Sequence, residues 1–338
     1  MSFTFIDLFA GIGGIRIGFE RNGGKCIFSS ELDMHCQNMY KNHFGDQPFG
    51  DITKINADEI PDHDILTAGF PCQSFSICGE MKGFSDTRGT LFFEVERILK
   101  AKQPKAFLLE NVRNLVNHDG GRTFKVILQK LKDLNYFTHY KILNGLHFGV
   151  PHKRERIIIV GFKNNHPFEF PKSGVGKPKT IVDILEPEDQ IDKKHFLSKQ
   201  IKEKFSRNLK KNPFYPSIWH ENKSGNIGIH PFSCALRAGG SYNYLTVNGE
   251  RRLTPREMFR LQGFPENYKI ITSDCQARKQ AGNSVVIPKI EAVANAMLKA
   301  MAIEPLPTNK YFSLDSIPSL FSNSDTKEDL KIKTYLHA

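Results

Sequence analysis

The first 162 residues alternate short apolar runs with longer amphipathic segments, and no other feature constrains the fold as strongly. The apolar runs have the length of strands, and the segments between them carry apolar residues at helical spacing. This alternation predicts an α/β fold with a mostly parallel sheet that is covered on both faces. Strands are predicted at residues 3–9, 25–30, 65–68, 106–109, 136–143 and 156–162, and helices at 12–22, 34–43, 91–100 and 124–134.

The pattern changes after residue 162. Residues 167–178 are rich in Pro and Gly and have the composition of a linker. Residues 192–211 combine many Lys and Arg with apolar residues at helical spacing, which predicts a basic amphipathic helix. Residues 212–251 predict a small, irregular, partly β module. Helices are predicted again at 254–262 and 287–301, followed by a weakly packed or partly disordered tail from residue 304.

The overall charge and composition limit the kinds of partner. A formal net charge of +11 favours a polyanion such as nucleic acid, with a merely basic soluble protein as the alternative. The apolar runs are too short to span a membrane and no signal-peptide pattern is present, so we expect a cytoplasmic protein. The six cysteines include no C-x-x-C pair, so we expect neither disulfides nor a metal site.

A glycine-rich turn follows the first predicted strand, at residues 7–14. Its spacing differs from G-x-G-x-x-G, because Arg16 stands where the third glycine belongs, so the cradle for a pyrophosphate is incomplete. Glu31 ends the second predicted strand, where a carboxylate can accept hydrogen bonds from both ribose hydroxyls of an adenosine. The pattern favours a nucleoside cofactor such as S-adenosylmethionine over an ordinary Gly-rich turn. Asp51 either accepts from an adenine amine or caps a turn.

Reactive and charged residues follow two further predicted strands. Cys72 comes directly after Pro71 in the loop that follows strand 65–68, and Glu110 follows strand 106–109. Ligands of α/β sheets bind at such strand ends, so Cys72 is either a nucleophile or an inert buried thiol. Arg154 and Arg156 alternate at strand spacing, so we expect both on one face, where they either orient an anion or begin an exposed strand.

Short blocks of sequence occur in a fixed order up to about residue 303. They lie at residues 5–14, 31, 50–53, 69–76, 87–93, 110–112, 154–156, 252–257, 263–265 and 280–286. Taken in order, they resemble the DNA (cytosine-5)-methyltransferases of bacterial restriction–modification systems. The resemblance implies a Rossmann-like S-adenosylmethionine-dependent methyltransferase domain at residues 1–170 and 280–303. It also implies a smaller, irregular target-recognition domain at 171–265, a hinge at 266–279 and a tail at 304–338.

The resemblance also implies a reaction. By the family's pattern, the Cys72 thiolate attacks C6 of a cytosine that is flipped out of duplex DNA, which makes C5 nucleophilic towards the donor methyl group. Glu110 is expected to stabilise or protonate N3 of the base. Arg154 is expected to contact O2, and Arg156 to support Glu110 and the Cys72 loop.

The same pattern assigns binding residues. Leu32 departs from it, because the family often places an aromatic residue there on the adenine, and His152 stands where a glutamine often precedes the arginines. Cofactor contacts are expected from Phe5, Leu8, Ala10, Gly11, Gly13, Gly14, Glu31, Leu32, Asp51, Ile52, Asn283 and Val285, and DNA contacts from Gln73, Ser76, Arg88, Arg237, Ser241 and Asn243.

The expected partner is double-stranded DNA, methylated by a monomer in the bacterial cytoplasm, with a restriction endonuclease encoded separately. A cytosine-5 methyltransferase of transfer RNA shares these motifs and stays open, as does a catalytically silent DNA-binding homologue. The strong basicity and the long recognition region favour DNA over RNA. A nicotinamide oxidoreductase is disfavoured by the glycine spacing.

Overall fold

A six-stranded sheet forms the centre of the molecule. The computed structural model describes residues 2–71, 91–174, 178–209, 212–240 and 243–302. The sheet contains β1 (Phe3–Leu8), β2 (Gly24–Ser30), β3 (Ile65–Ala68), β4 (Ala106–Val112), β5 (Phe137–Asn144) and β7 (Glu155–Phe162), while β6 (His152–Lys153) lies outside it. The strand order is β2–β1–β3–β4–β7–β5. Only β7 runs against the other five, so the predicted α/β class with a mostly parallel sheet is confirmed.

Helices cover both faces of this sheet. The described helices of the chain are α1 (Gly14–Glu20), α2 (Met34–Phe44), α3 (Leu91–Lys102), α4 (Arg122–Asp133), α5 (Lys199–Arg207), α6 (Pro255–Gln262), α7 (Asp274–Asn283) and α8 (Ile287–Met301), and four of them cover the sheet. Helices α3 and α4 bury apolar side chains such as Phe92 and Phe124 on one face. Helices α1 and α8 bury side chains such as Phe19 and Met297 on the other. Helix α8, the last helix of the described residues, therefore packs against the first part of the chain.

The region between β7 and α6 carries a second, smaller sheet. Its antiparallel strands β8 (Ile218–Glu221), β9 (Ile227–His230), β11 (Leu245–Val247) and β12 (Arg251–Arg252) lie in the order β12–β11–β8–β9. The short strand β10 (Ser233–Cys234) instead pairs in parallel with β6, which joins this region to the segment that leads into β7 of the central sheet. The basic helix predicted at residues 192–211 is shorter than expected. In the structure, α5 covers only Lys199–Arg207.

Helix α7 lies partly inside the segment 266–279 that was predicted as a hinge. It begins after Ser273, whose hydroxyl accepts a hydrogen bond from the backbone N–H of Gln276.

Helix α6 begins with a capping box, in which Thr254 and Glu257 satisfy each other's backbone N–H groups. The domain boundaries at 170, 265 and 280 stay predictions. None of the helices within the described ranges is long and apolar enough to cross a membrane.

Candidate active site

The side chains of Glu110 and Arg156 meet on two neighbouring inner strands of the central sheet, β4 and β7. Arg156 lies opposite Val112 in the β4–β7 ladder, and Glu110 lies opposite Ile158, so the two side chains are diagonal neighbours on one face. The Arg156 Nε atom lies 3.4 Å from Glu110 Oε1, and the predicted support of this carboxylate by Arg156 stays a prediction. Glu110 is only 7% exposed, and its Oε1 atom has no hydrogen-bond partner among the described residues. This oxygen is thus paired with Arg156 by charge alone, without a hydrogen bond.

Asn111 connects this carboxylate to the segment that precedes Cys72. Its Nδ2 atom donates a hydrogen bond of 2.8 Å to the carbonyl oxygen of Phe70, and its Oδ1 atom accepts one from the Val112 N–H. Asn111 is buried, so this bond fixes where the loop leaves β3. The sequence analysis missed this role, although the residue follows Glu110 directly. Of the predicted site residues, Cys72, Gln73, Ser76, Arg88 and Ser241 lie outside the described residues.

Arg154 does not share the face of Arg156. Residue 154 lies between β6 and β7, outside either strand, so strand alternation does not apply to it. Its guanidinium donates hydrogen bonds to the carbonyl oxygens of Leu236 (3.0 Å), Gly282 (2.9 Å) and Ser284 (2.6 Å). With Arg154 only 1% exposed, contact with a base would require breaking these bonds. Arg154 thus joins three distant segments, and its predicted contact with cytosine O2 stays a prediction.

His152 takes part in the same junction. Its Nε2 atom accepts a hydrogen bond of 3.1 Å from the N–H of Leu236. Burial lowers the pKa of His152 well below its ordinary value, and the positive charges of Arg154 and Arg156 act in the same direction. The ring is thus neutral, as an acceptor nitrogen requires.

Glu31 is held at the end of β2, facing the glycine-rich turn. Its Oε2 atom accepts from the N–H of Gly11 at 2.8 Å, and its Oε1 atom accepts from the N–H of Asp33 at 2.7 Å. Gly11 has a φ of +56°, and no atom stands within 4 Å of the position that a Cβ would occupy. The backbone there is open to a ligand, so a carboxylate and an accessible backbone lie together as a nucleoside requires.

The C-terminal segment closes the other side of the turn. A Cβ on Gly14 would lie 2.8 Å from Ser284 Oγ and 2.9 Å from Val285 Cγ2, so the two segments touch. Gly13 has a φ of +80° and packs against the Phe44 ring. Asn283 is exposed beside this contact, and Val285 is mostly buried in it.

Further predicted cofactor residues lie around the end of β2. Leu32 is 71% exposed, and Ile52 is buried beside Asp51. The Asp51 Oδ1 atom accepts from the N–H of Thr53 at 3.0 Å, so this residue caps a turn, and its part in adenine binding stays a prediction. The sequence analysis missed Phe49, which is 57% exposed and bonded through its carbonyl oxygen to the Glu31 N–H at 2.8 Å.

Phe5 and Leu8 belong to strand β1 of the central sheet. Both side chains are fully buried in the middle of the sheet, and the Phe5 ring packs on that of Phe19 with centroids 5.3 Å apart. The side chains of this central strand alternately face the helices on the two sides of the sheet, and the part of Phe5 and Leu8 in cofactor binding stays a prediction. Phe9, which the sequence analysis missed, stands at the open edge with a φ of +55°, and the buried Ala10 follows it. Such backbone strain in a non-glycine residue is concentrated at functional sites.

Comparison with known proteins agrees with this geometry. A model of the family described as C-5 cytosine-specific DNA methylase matches residues 3–299. The chain belongs to this family. The methylase is 58% identical to Type II methyltransferase M.HaeII of Haemophilus aegyptius over 296 residues, which cover 88% of this chain and 93% of that protein. It is 40% identical to Type II methyltransferase M.HhaI of Haemophilus parahaemolyticus over 316 residues, which cover 89% and 96%.

A solved structure shows the same fold at lower identity. The S. pombe Dnmt2 methyltransferase superposes with a TM-score of 0.72 and 18% identity, over 89% of this chain and all of that one. The Rossmann-like methyltransferase fold expected from the resemblance is thus confirmed. The family assignment also confirms the predicted activity, methylation of cytosine C5 in DNA.

Two predicted DNA-binding residues of the methylase lie in the smaller sheet region. The Arg237 guanidinium stacks over the Tyr244 ring at 4.3 Å, and the Tyr244 hydroxyl accepts from the Arg237 N–H at 2.7 Å. Asn243 accepts a hydrogen bond of 2.7 Å from Arg252 Nε. Both side chains are thus held in place by neighbours, and their contacts with DNA stay predictions.

Lys289 is a further residue near the methylase site that sequence reasoning missed. Its side chain is fully buried at the start of α8, and Nζ has no hydrogen-bond partner among the described residues. Burial lowers its pKa to about 7, although the charge of Glu110 opposes this shift. The apolar spacing of residues 287–301 gave no signal of this, because a lysine in an amphipathic helix is ordinarily exposed.

Proposed function

We propose that the chain methylates C5 of a flipped-out cytosine within a specific short sequence of duplex DNA, with S-adenosylmethionine as methyl donor. We also propose that it is the modification enzyme of a Type II restriction–modification system, acts as a monomer and accompanies a separately encoded endonuclease. The observation that carries this proposal is the Glu110–Arg156 pair at a strand end of a chain matched by the cytosine-5 methylase family. The relatives named Type II methyltransferases support the biological role.

In the first step, the Cys72 thiolate forms a bond to C6 of the cytosine. The π electrons of the C5–C6 bond move into the ring, and the Glu110 carboxyl group donates its proton to N3, which makes C5 an enamine carbon. The position of Glu110 beside Arg156 and the bond from Asn111 to the Phe70 carbonyl support this arrangement.

In the second step, C5 takes the methyl group, which S-adenosylmethionine supplies when bound. The C5 proton then leaves to a base, the electron pair of the C5–H bond re-forms the C5–C6 double bond, and the Cys72 thiolate departs. Glu110 takes back the N3 proton. The chain is thereby restored, and S-adenosylhomocysteine and 5-methylcytosine are released.

We further propose that Arg156, rather than Arg154, faces the base. Arg156 lies beside Glu110 and keeps donor groups near the open edge, whereas the buried guanidinium of Arg154 is occupied by three carbonyl oxygens. A guanidinium next to the carboxylate can hold the base oxygen and keep Glu110 oriented at the same time.

The cofactor fits the residues around the glycine-rich turn. The Glu31 carboxylate would take the ribose hydroxyls, and the open backbone at Gly11 would allow the methionine part to approach closely. Leu32 follows Glu31 in sequence, and Phe49 contacts Glu31 through a backbone hydrogen bond. Both side chains are exposed and would cover the adenine. No pyrophosphate cradle is required, in agreement with the glycine spacing.

Covalent trapping on DNA containing 5-fluorocytosine tests the reaction, because fluorine cannot leave C5. Wild-type protein with S-adenosylmethionine is expected to form an adduct that survives denaturation, while Cys72→Ala forms none. Bisulfite sequencing of DNA from expressing cells then gives the recognised sequence, with Cys72→Ala as the control. Methyl transfer to transfer RNA alone would contradict the proposal, and an adduct in Cys72→Ala would overturn the nucleophile.

A further inference from the structure

Three potential metal ligands gather in the smaller sheet region. They are His220 of β8, His230 of β9 and Cys234 of β10, and each is half-buried. One ligand atom of each lies within 4.8 Å of the others. This cluster lies outside the Glu110 and Glu31 sites, and neither the methyl transfer nor the proposed DNA contacts use it.

The strand pairing explains why the two histidines meet. In the antiparallel β8–β9 ladder, His230 lies opposite Ile218, and His220 lies opposite Gly228. Directly opposed residues share a face, and so do residues two apart on one strand, so His220 and His230 are diagonal neighbours on the same face.

Gly228 makes room for the contact. A Cβ at this position would lie 2.8 Å from His230 Nε2, so the imidazole folds back over the glycine towards His220. Any side chain at residue 228 would occupy that space. The pairing of β8 with β9 therefore brings the two imidazoles together. Cys234 approaches them from β10, the strand that pairs with β6.

Each side chain would contribute one ligand atom. The two imidazoles would each offer a ring nitrogen, and Cys234 would offer its sulfur. Binding of a cation by that sulfur would release the thiol proton to solvent.

We propose that His220, His230 and Cys234 bind one Zn²⁺ ion, with water as the fourth ligand. Two imidazole nitrogens and a thiolate suit zinc, with bonds of about 2.0–2.3 Å. Tetrahedral bonds of that length place ligand atoms roughly 3.5 Å apart, so the cluster must contract by only about an ångström.

The ion would connect the hairpin of β8 and β9 to the segment that runs from β6 into β7. Strand β10 pairs with β6, where Cys234 lies opposite Lys153, directly before Arg154. A zinc bridge from β8 and β9 to β10 would thus hold the smaller sheet against the segment that leads into β7. The sequence analysis expected no metal, because the ligands follow a long H-x₉-H-x₃-C spacing in place of a C-x-x-C pair.

Cobalt substitution in the full chain tests the proposal. Chelator-stripped protein is expected to bind one equivalent of Zn²⁺ or Co²⁺, to gain several degrees in Tm, and to show sulfur-to-cobalt charge-transfer absorption. Cys234→Ala and His230→Ala should each lose that absorption. Cys275→Ala, which removes an exposed thiol on α7, should retain it.

Gly228→Ala keeps all three ligands and crowds His230, so it should weaken zinc binding at least about tenfold. For the wild type, X-ray absorption should report one sulfur and two imidazoles around zinc, a result that does not depend on any variant folding. Cobalt–sulfur absorption that persists in Cys234→Ala, a different ligand count, or no binding at micromolar zinc would each overturn the proposal.

Discussion

At the scale of single residues, two arginines that are two positions apart in sequence carry different tasks. Arg156 lies beside Glu110 in a strand, and Arg154 is buried against the carbonyl oxygens of residues 236, 282 and 284. Their spacing predicted one shared face. It could not show that the strand is interrupted at residue 154, because the partners of that guanidinium are 82 to 130 residues away along the chain.

Conservative substitutions should separate these tasks. Arg156→Lys is expected to lower kcat about a hundredfold with little change in Tm, because an ammonium cannot serve carboxylate and base together. Arg154→Lys is expected to lower the free energy of unfolding by about 2–4 kcal/mol, because the donors of an ammonium sit on one nitrogen and cannot reach the three carbonyls that the planar guanidinium spans. Steady-state kinetics and urea unfolding of both variants check this. Equal loss of stability in the two variants would contradict it.

The buried Lys289 should make stability depend on pH. Its pKa falls from 10.5 unfolded to about 7 folded, so the unfolded state binds more protons between these values. The loss in the free energy of unfolding that comes from burying the charged ammonium is complete below pH 7. It disappears as the pH rises towards 10.5. Lys289→Met should therefore raise the free energy of unfolding by about 3 kcal/mol near pH 7 and by less at pH 9.5. The exposed Lys299 of the same helix provides the control, Lys299→Met, which should change stability little at either pH.

At the scale of elements, the glycine-rich turn and the segment before α8 pack so closely that no side chain fits between them at residue 14. Gly14→Ala would place a methyl group 2.8 Å from Ser284 Oγ and 2.9 Å from Val285 Cγ2. We expect it to raise the KM for S-adenosylmethionine about tenfold and to destabilise the protein by about 1–3 kcal/mol. Gly239→Ala is the matched control, because no atom stands within 4 Å of its added Cβ. Unchanged cofactor kinetics in Gly14→Ala would refute the assigned contact.

Elements of the first 162 residues could be predicted because buried strands and amphipathic helices leave clear periods in the sequence. Helix α7 could not, since its sequence DCQARKQAGN is polar and its start depends on a single serine cap. The smaller sheet was also predicted only coarsely. Its strands are two to four residues long, too short to establish an alternating pattern.

At the scale of the whole molecule, the net charge of +11 predicts strongly salt-dependent binding of duplex DNA. Phosphate contacts release counterions, so the logarithm of the association constant should fall linearly with the logarithm of the KCl concentration, with a slope more negative than about −2. Fluorescence anisotropy of a labelled duplex measures this, and cofactor affinity over the same range serves as the reference. A flat DNA dependence would mean that the basic surface is not the DNA interface.

The wrapping of α8 against α1 has a consequence for synthesis. The Phe5 side chain on the sheet and the Phe19 side chain of α1 share one core with Ile290, Val293 and Met297, which come from the last helix of the described chain. A ribosome must therefore make more than 280 residues before this core can be completed and the wall at Val285 can meet the turn at Gly14. A growing chain leaves part of that apolar surface exposed until then.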